Sequence, residues 1–303
     1  MRGMSEQSPS AELFIDHTLS FSLPARNARG RALRIGPVLE RILSAHNYPP
    51  PIRNLLAEAV TVTALVGSLL KDEGSQLTLQ AQAKSGPVSL LVCDYRDGEL
   101  RGYVDYDPAA VADLGVDRSL KRLFGEGYLA VTFDLAVAEE RYQGIVPLEG
   151  SSIAEACETY FDQSEQVPTM LRIAVDCDGD NCMAAGFLLQ HLAEGEDGRD
   201  RIATREEHRE WEHVSIMGGS VTGEELLDSD LSLESVIWRL FHEEEQVLVE
   251  QGPLLHRGCR CTVEHFESVI ARFPKDEQAE MRDEEGTITV DCAFCSRKFA
   301  LEA

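Results

Sequence analysis

The sequence predicts an α+β fold: an N-terminal mixed α/β domain with a large sheet, a helical linker, and a small C-terminal metal-binding module. Three observations point there. Apolar and polar residues alternate in several short blocks before residue 150, the period of half-buried strands. One long segment after Pro50-Pro51 repeats its apolar residues near 3.6, the period of a helix. Four of the eight cysteines crowd into the C-terminal stretch, downstream of a polar, glycine-containing break.

In chain order, Leu13–Phe21 and Ala32–Ile35 read as strands. The helix opened by Pro50 and Pro51 carries Ile52, Leu55, Leu56, Ala59, Val62, Val66, Leu69 and Leu70 on its apolar positions. Leu77, Leu79, Ala81 and Ala83 alternate with Thr78, Gln80 and Gln82. Val88–Cys93 is apolar on both faces and reads as a central strand. Arg96-Asp97-Gly98-Glu99 is a turn into the return strand Leu100–Val104. Leu129, Val131, Phe133 and Leu135 alternate again, Arg141–Leu148 follows, and Ser151–Gln166 reads as a helix. Thr169–Cys177 and Ala185–Leu192 are strands joined by Asp178-Gly179-Asp180-Asn181.

The polar stretch Glu194–Asp200 marks a boundary, which divides the chain into a core domain (1–195), a linker (196–252) and a terminal module (253–303). Within the linker, Thr222-x-x-Glu225 is a capping box. Ser232 caps a helix whose stripe is Leu233, Val236, Ile237, Leu240 and Phe241. The surrounding residues are strongly acidic and Gly218-Gly219 interrupts helical continuity, so this segment is marginal alone and depends on docking its stripe.

Composition narrows the function classes. A net charge of −25 repels phosphate backbones, so nucleic acid is a poor partner. Met1–Ala11 is polar with no apolar core of a signal peptide. The apolar run Ala59–Leu70 falls short of the ~20 residues a membrane span needs. No membrane association is expected, and the expected location is the cytoplasm. Cysteines in a reducing compartment point to metal or redox chemistry rather than a disulfide framework.

Cys259-x-Cys261 and Cys292-x-x-Cys295 are two close-spaced pairs separated by residues 262–291. Four thiolates so arranged are what tetrahedral zinc requires, one ion per chain. Spacing alone leaves open a closed structural site with no redox role. Three features favour a switch. The module's core candidates are few (Phe266, Val269, Ile270, Phe273, Ile288, Val290 and Phe299), so it depends on metal to fold. Zinc keeps its sulfurs in the oxidisable thiolate form. The docking-dependent linker lies directly upstream.

At this point the sequence resembles the heat-shock protein 33 family of bacterial redox-regulated chaperones. The likeness rests on the two cysteine pairs and on the string Trp238-Arg239-Leu240-Phe241-His242-Glu243-Glu244-Glu245. It also includes Gly86-Pro87, Tyr142-Gln143-Gly144-Ile145-Val146 with Leu148-Glu149, and Tyr160-Phe161-x-x-Ser164-Glu165-Gln166-x-Pro168-Thr169. It runs from about Leu13 to Phe299. The resemblance implies a non-enzymatic, ATP-independent holdase that is zinc-bound and inactive when reduced. It further implies disulfides Cys259–Cys261 and Cys292–Cys295 on oxidation, zinc release, linker unfolding, a homodimer, and binding of unfolding client proteins. Pairs that enclose almost no chain constrain the module little, whereas a cross-pair such as Cys261–Cys292 would staple it. The chain departs from the family in its four further cysteines, its acidic linker and an end eight residues past Cys295, expected to trim packing without removing a ligand.

Other readings rank lower. Asp176–Cys182 lacks the glycine and glutamate positions of a calcium loop and reads as a hairpin turn. Cys177 and Cys182 flank that turn and are expected to stay reduced. Cys93 and Cys157 are expected to be buried and inert. His256 and His265 lie beside a shell that four sulfurs already fill. Glu243-Glu244-Glu245 reads as a solvated helix end. A zinc-ribbon nucleic-acid binder lacks its basic patch, and a thiol oxidoreductase on Cys292-x-x-Cys295 lacks a thioredoxin-like βαβ context.

Overall fold

The computed structural model describes residues 15–115, 117–177, 181–192, 205–283 and 286–301. Four expectations fall outside these residues: the polar start Met1–Ala11, the first two residues of the strand expected from Leu13, the turn at Asp178–Asp180, and the boundary at Glu194–Asp200.

The chain opens with strands β1 (His17–Leu23) and β2 (Ala28–Ile35), joined through a 3-10 turn and Asn27 in the left-handed region. Helices α1 (Pro37–Leu43) and α2 (Pro50–Gly67) follow, both entered at proline. Next come β3 (Gln76–Ala83), β4 (Val88–Arg96) and β5 (Glu99–Tyr106). Asp97 and Gly98 both have positive φ, the signature of a type I′ hairpin turn, which matches the twist of the strands it joins. Short helices α3 (Pro108–Ala112) and α4 (Leu120–Phe124) lead to β6 (Gly127–Leu135), β7 (Glu140–Pro147) and α5 (Ile153–Tyr160). The hairpin β8 (Thr169–Asp176) and β9 (Met183–His191) completes the first half. Then come α6 (Arg205–Gly219), α7 (Gly223–Leu227) and α8 (Leu233–Phe241), strands β10 (Leu248–Leu254) and β11 (His256–Arg257), helices α9 (Val263–Ile270) and α10 (Lys275–Glu280), and the hairpin β12 (Ile288–Asp291) and β13 (Lys298–Leu301).

The expected large sheet is one of two. One is antiparallel throughout, in the order β10-β1-β2-β9-β8. The other runs β11-β5-β4-β3-β6-β7, with β11 parallel to β5 and the rest antiparallel. Helix α2 lies between them. Thirteen of its eighteen residues are buried, so it is a core helix rather than an amphipathic surface one. Its buried hydroxyls are satisfied within the helix, Thr61 donating to the Ala57 carbonyl and Thr63 to that of Ala59, each at 2.7 Å.

The other face of the five-stranded sheet is covered by α6, α7 and α8. Leu19, Phe21, Leu23, Met170, Phe187 and Leu189 from the sheet share one apolar cluster with Leu233, Val236, Ile237, Leu240 and Phe241. All five stripe residues are buried, and Phe21 sits with Phe187 and Phe241 in a ring cluster with centroids 5.3–6.5 Å apart.

Several local expectations change. The helix expected over Ser151–Gln166 stops at Tyr160, and Phe161–Glu165 form a π turn that Gln166 closes in the left-handed region. The helix after Pro50 ends at Gly67, leaving Leu69 and Leu70 partly buried beyond it. Residues 248–254, which straddle the expected linker–module boundary at 252/253, are an edge strand paired with β1. Cys177 and Cys182, expected to stay reduced, are joined as a disulfide. They stand opposite one another at the end of the β8–β9 ladder, where proximity outweighs the general preference for free thiols.

Candidate metal centre

Two loops build the site. Cys259 and Cys261 follow β11, in the extended stretch that ends where Thr262 caps α9 by accepting from the His265 amide. Cys292 and Cys295 lie in the tight connection between β12 and β13. There the Cys292 amide donates to the Arg297 carbonyl at 2.9 Å, the Ser296 amide donates to the Cys292 carbonyl at 2.8 Å, and Ser296 takes a positive φ. The hairpin rests on Ile288, Phe299 and Leu301, with Ile270 and Phe266 of α9 packed against them. Of the core candidates, Phe273 is on the surface at 40 % exposure.

The four sulfurs lie within 4.8 Å of one another. Cys259 Sγ is 3.2 Å from Cys261 Sγ and 3.6 Å from Cys292 Sγ, and Cys261 Sγ is 3.4 Å from Cys295 Sγ. Tetrahedral zinc–thiolate bonds of 2.3 Å place their sulfurs about 3.8 Å apart. The donor set and its spacing therefore fit a metal ion. Electrostatics point the same way. Burial and the adjoining thiols push Cys261 far up, and burial pushes Cys292 up. At Cys295 burial also pushes up, but the Arg297 amide and the neighbouring thiols outweigh it and bring the thiol to about 7. Four thiolates at this separation repel one another, and a cation is what allows all four to ionise together. His256 lies 3.7 Å from Glu99 and His265 packs beside Phe266; neither belongs to the four-residue cluster.

The site is seated on the six-stranded sheet by the residues that separate the cysteines. Arg260, between Cys259 and Cys261, donates to Gln76 Oε1 at 2.7 Å and lies 3.9 Å from Asp94. Phe294, between Cys292 and Cys295, meets Tyr103 edge-on at 4.9 Å, and the Arg101 guanidinium lies 4.1 Å above its ring. Arg101 is in turn held by Asp94 at 2.7 Å. From α1's far end, His46 Nε2 bonds the Ala293 carbonyl at 2.8 Å and Nδ1 the Ser296 hydroxyl at 3.1 Å. The contacts that tie the module to the core were not legible in the sequence, because their partners lie roughly 165 to 250 residues apart.

The stripe residues Leu233, Val236, Ile237, Leu240 and Phe241 sit elsewhere, on the five-stranded sheet. Two polar clasps accompany them. Buried Arg34 of β2 donates to the Leu226 carbonyl at 2.8 Å and the Leu231 carbonyl at 3.2 Å. Glu244, expected to be solvated, has only 6 % of its side chain exposed. It accepts from Arg26 and from His213, each at 2.8 Å. Burial pushes its carboxyl up, but these two partners outweigh it and hold it below its ordinary value.

A two-sheet α+β body, a helical layer covering one apolar sheet face, and a module with a four-sulfur site fit for a metal ion define the class of protein. Among the described residues no helix is long and apolar enough to cross a membrane. The family model for Hsp33 protein matches residues 16–302. The 33 kDa chaperonin of Caulobacter vibrioides (strain NA1000 / CB15N) is 38% identical over 307 residues, 99% of each chain. That of Yersinia pestis (strain Pestoides F) is 32% identical over 276 residues, 91% of this chain and 88% of its own. The crystal structure of the 33 kDa chaperonin, a heat shock protein 33 homologue, from Thermotoga maritima superposes with a TM-score of 0.75. It is 24% identical and covers 94% of both chains. The chain belongs to the Hsp33 family; it is a chaperone and not an enzyme.

Proposed function

We propose that this chain is a redox-regulated, ATP-independent holdase of the cytoplasm, zinc-bound and silent when reduced. The observation that carries the reading is the convergence of four cysteine sulfurs within 4.8 Å. Cys259, Cys261, Cys292 and Cys295 hold one zinc per chain, which keeps all four sulfurs as thiolates. Oxidation pairs Cys259 with Cys261 and Cys292 with Cys295. Formation of each disulfide removes two electrons from its pair of sulfurs, and one peroxide or hypochlorous acid accepts them. Disulfide formation consumes every donor, so the site loses its affinity for the ion and the module its folding energy.

The seat at Gln76, Asp94 and Tyr103 empties when the module unfolds. The linker over 196–252 then loses its C-terminal anchor, and Leu233, Val236, Ile237, Leu240 and Phe241 come off the sheet. Both the stripe and Leu19, Phe21, Phe187 and Leu189 beneath it become apolar surface that binds unfolding client proteins and pairs the oxidised chain as a homodimer. The net charge of −25 keeps such complexes soluble. In this reading the core domain is 1–195 and the switch module 253–303.

The test is light scattering of a heat-denatured client with reduced and peroxide-treated protein, alongside released zinc and peptide mapping. We expect protection only after oxidation, with zinc released in step and the two short-range disulfides dominant. Zinc stoichiometry unchanged by Cys261→Ser with Cys295→Ser would sink the ligand assignment. Cross-pairs dominating the active form would sink the pairing.

A further inference from the structure

We propose that Cys177 and Cys182 are a second thiol–disulfide couple, separate from the four-sulfur site, whose closed form clamps edge strand β8 to β9. The backbone register places them. β8 and β9 pair from Thr169↔Gln190 to Asp176↔Met183, and the next rung in that ladder is Cys177 opposite Cys182. The two sulfurs are bonded there, while the other six cysteines are free. Cys93 and Cys157 are also buried, on β4 and α5, but neither is bonded. Pairing therefore follows the register and not burial alone. Both Cys177 and Cys182 are buried, and the Cys182 amide donates to Glu40 Oε1 at 3.2 Å, which ties this hairpin end to α1.

The position gives the bond its use. The sheet order ends at β8, so this strand is held by backbone pairing on one side only. Its outer edge is held locally where the Leu171 amide donates to Glu158 Oε1 at 2.6 Å. Its face is covered by the linker: Met170 and Ala174 lie in the cluster with α6–α8, and Gly218 of α6 packs closely against the Met170 methyl. Release of the linker uncovers this face of β8, a strand with backbone pairing on one side only, at the moment when the surroundings are oxidising. A bond across the last rung keeps β8 in register on β9 while its cover is gone. This use of the bond rests on the linker release proposed above; the existence of the couple does not.

The chemistry balances with a peroxide as oxidant. One thiolate attacks a peroxide oxygen, the O–O bond breaks, and a sulfenic acid and hydroxide form. The second sulfur attacks the sulfenic sulfur, the S–S bond forms and hydroxide leaves. The two thiol protons and two hydroxides give two waters, and two electrons pass from the sulfurs to the peroxide. A small dithiol reverses the step by exchange, becoming oxidised itself.

Two measurements test this. In the first, zinc-loaded protein is reduced with dithiothreitol, treated with graded hydrogen peroxide, acid-quenched, alkylated and mapped, with released zinc read in the same samples. We expect the Cys177–Cys182 bond to form and to reopen with dithiothreitol, at doses that leave zinc bound. Thiols at both positions that stay alkylatable until zinc is released would overturn the separate couple. In the second, hydrogen exchange is compared between wild type and the paired variant Cys177→Ala, Cys182→Ala. The reduced proteins should match, which shows that the variant folds. After peroxide, β8 amides at 170–176 should exchange roughly tenfold faster in the variant. If α8 amides open in both oxidised proteins but β8 exchanges alike, the clamp is wrong and the linker reading stands. If α8 stays protected after oxidation, the linker reading fails and the clamp falls with it, while the mapping still decides the couple.

Discussion

The two faces of the five-stranded sheet carry helices held in different ways. On the inner face, Leu33, Ile35, Leu171, Ala184 and Leu188 meet α2, which is buried all round from Ala59 to Gly67 and shared with the second sheet. On the outer face, alternate residues of the same strands (Ala32, Met170, Ala185, Phe187 and Leu189) meet the single stripe of α8 and its neighbours. Burying the five stripe side chains of α8 is worth about 10 kcal/mol. Ordering its nine residues costs a similar amount at about 1–2 kcal/mol per residue. The stripe alone thus leaves α8 near balance, and the clasps at Arg34 and Glu244 decide whether it stays. Under the switch proposed above, one sheet has a permanent face and a releasable one, separated only by the strand pleat.

The strongest way to break that contrast is to place a charge on each face. Leu240→Asp buries an unpaired carboxylate under α8, a cost of several kcal/mol that undocking relieves. The expected outcome is client protection in the reduced, zinc-bound state, with fast-exchanging amides across residues 222–245. Leu65→Asp on α2 should leave no folded core at all, because no undocked state relieves it. A reduced Leu240→Asp protein that stays inactive while those amides open would show that linker release is not the switch.

A smaller effect is expected at the module's seat. Phe294→Ala removes the edge-on contact with Tyr103 and the Arg101 cation over the ring, together about 1–3 kcal/mol. Zinc content should hold at wild-type level, while the peroxide dose that activates the protein falls. An unchanged dose would separate the module's docking from the linker's.

Next comes the clasp. Glu244→Gln keeps the shape but loses the charge that Arg26 and His213 share. A partly exposed pair of this kind is worth about 1 kcal/mol. Hydrogen exchange should speed up in α8 and not in α2; equal effects on both would contradict a clasp confined to the outer face.

The smallest effect belongs to the permanent face. Glu58 of α2 accepts from the Ala154 amide at the start of α5, and burial raises its carboxyl to about 7. A raised folded value means the neutral acid is favoured in the folded state. Its contribution is complete below 4.5 and is lost as pH rises through about 7. Glu58→Gln, which stays neutral, should therefore gain thermal stability over wild type at pH 8 and little at pH 5. The same gain at both values would show that the group does not titrate in that window.

What was legible in the sequence follows from how local each signal is. Ser232 and the i, i+3, i+4, i+7, i+8 spacing of Leu233 to Phe241 describe α8 within ten residues, and the spacing of the cysteine pairs marks the residues whose sulfurs cluster. β10 is not legible in the sequence because Gly252, Pro253 and Glu250 break any alternation, and an edge strand exposed on both faces has no apolar period to read. The sequence over-extends the helix after Ser152 because its polar end has helical character, while the chain there widens into a π turn beside Tyr160. Gly144 on β7 would clash with that ring if it carried a side chain. Glu244 reads as one of three equivalent acids until Arg26, 218 residues away, is brought beside it.

The pairing of β1 with β10 has a consequence for how the protein is made. His17 lies opposite Leu254, and the Thr18 hydroxyl donates to the Pro253 carbonyl across 235 residues of chain. A ribosome adding about 5–20 residues per second takes roughly 10–40 s to pass from the end of β2 to the start of β10. For that interval the nascent chain presents the free backbone edge of β1, and α8 has not arrived to cover the sheet's outer face. A newly made copy therefore passes through a state with an open strand edge and an uncovered apolar face, until β10, the closing strand of that sheet, emerges just ahead of Cys259 and Cys261.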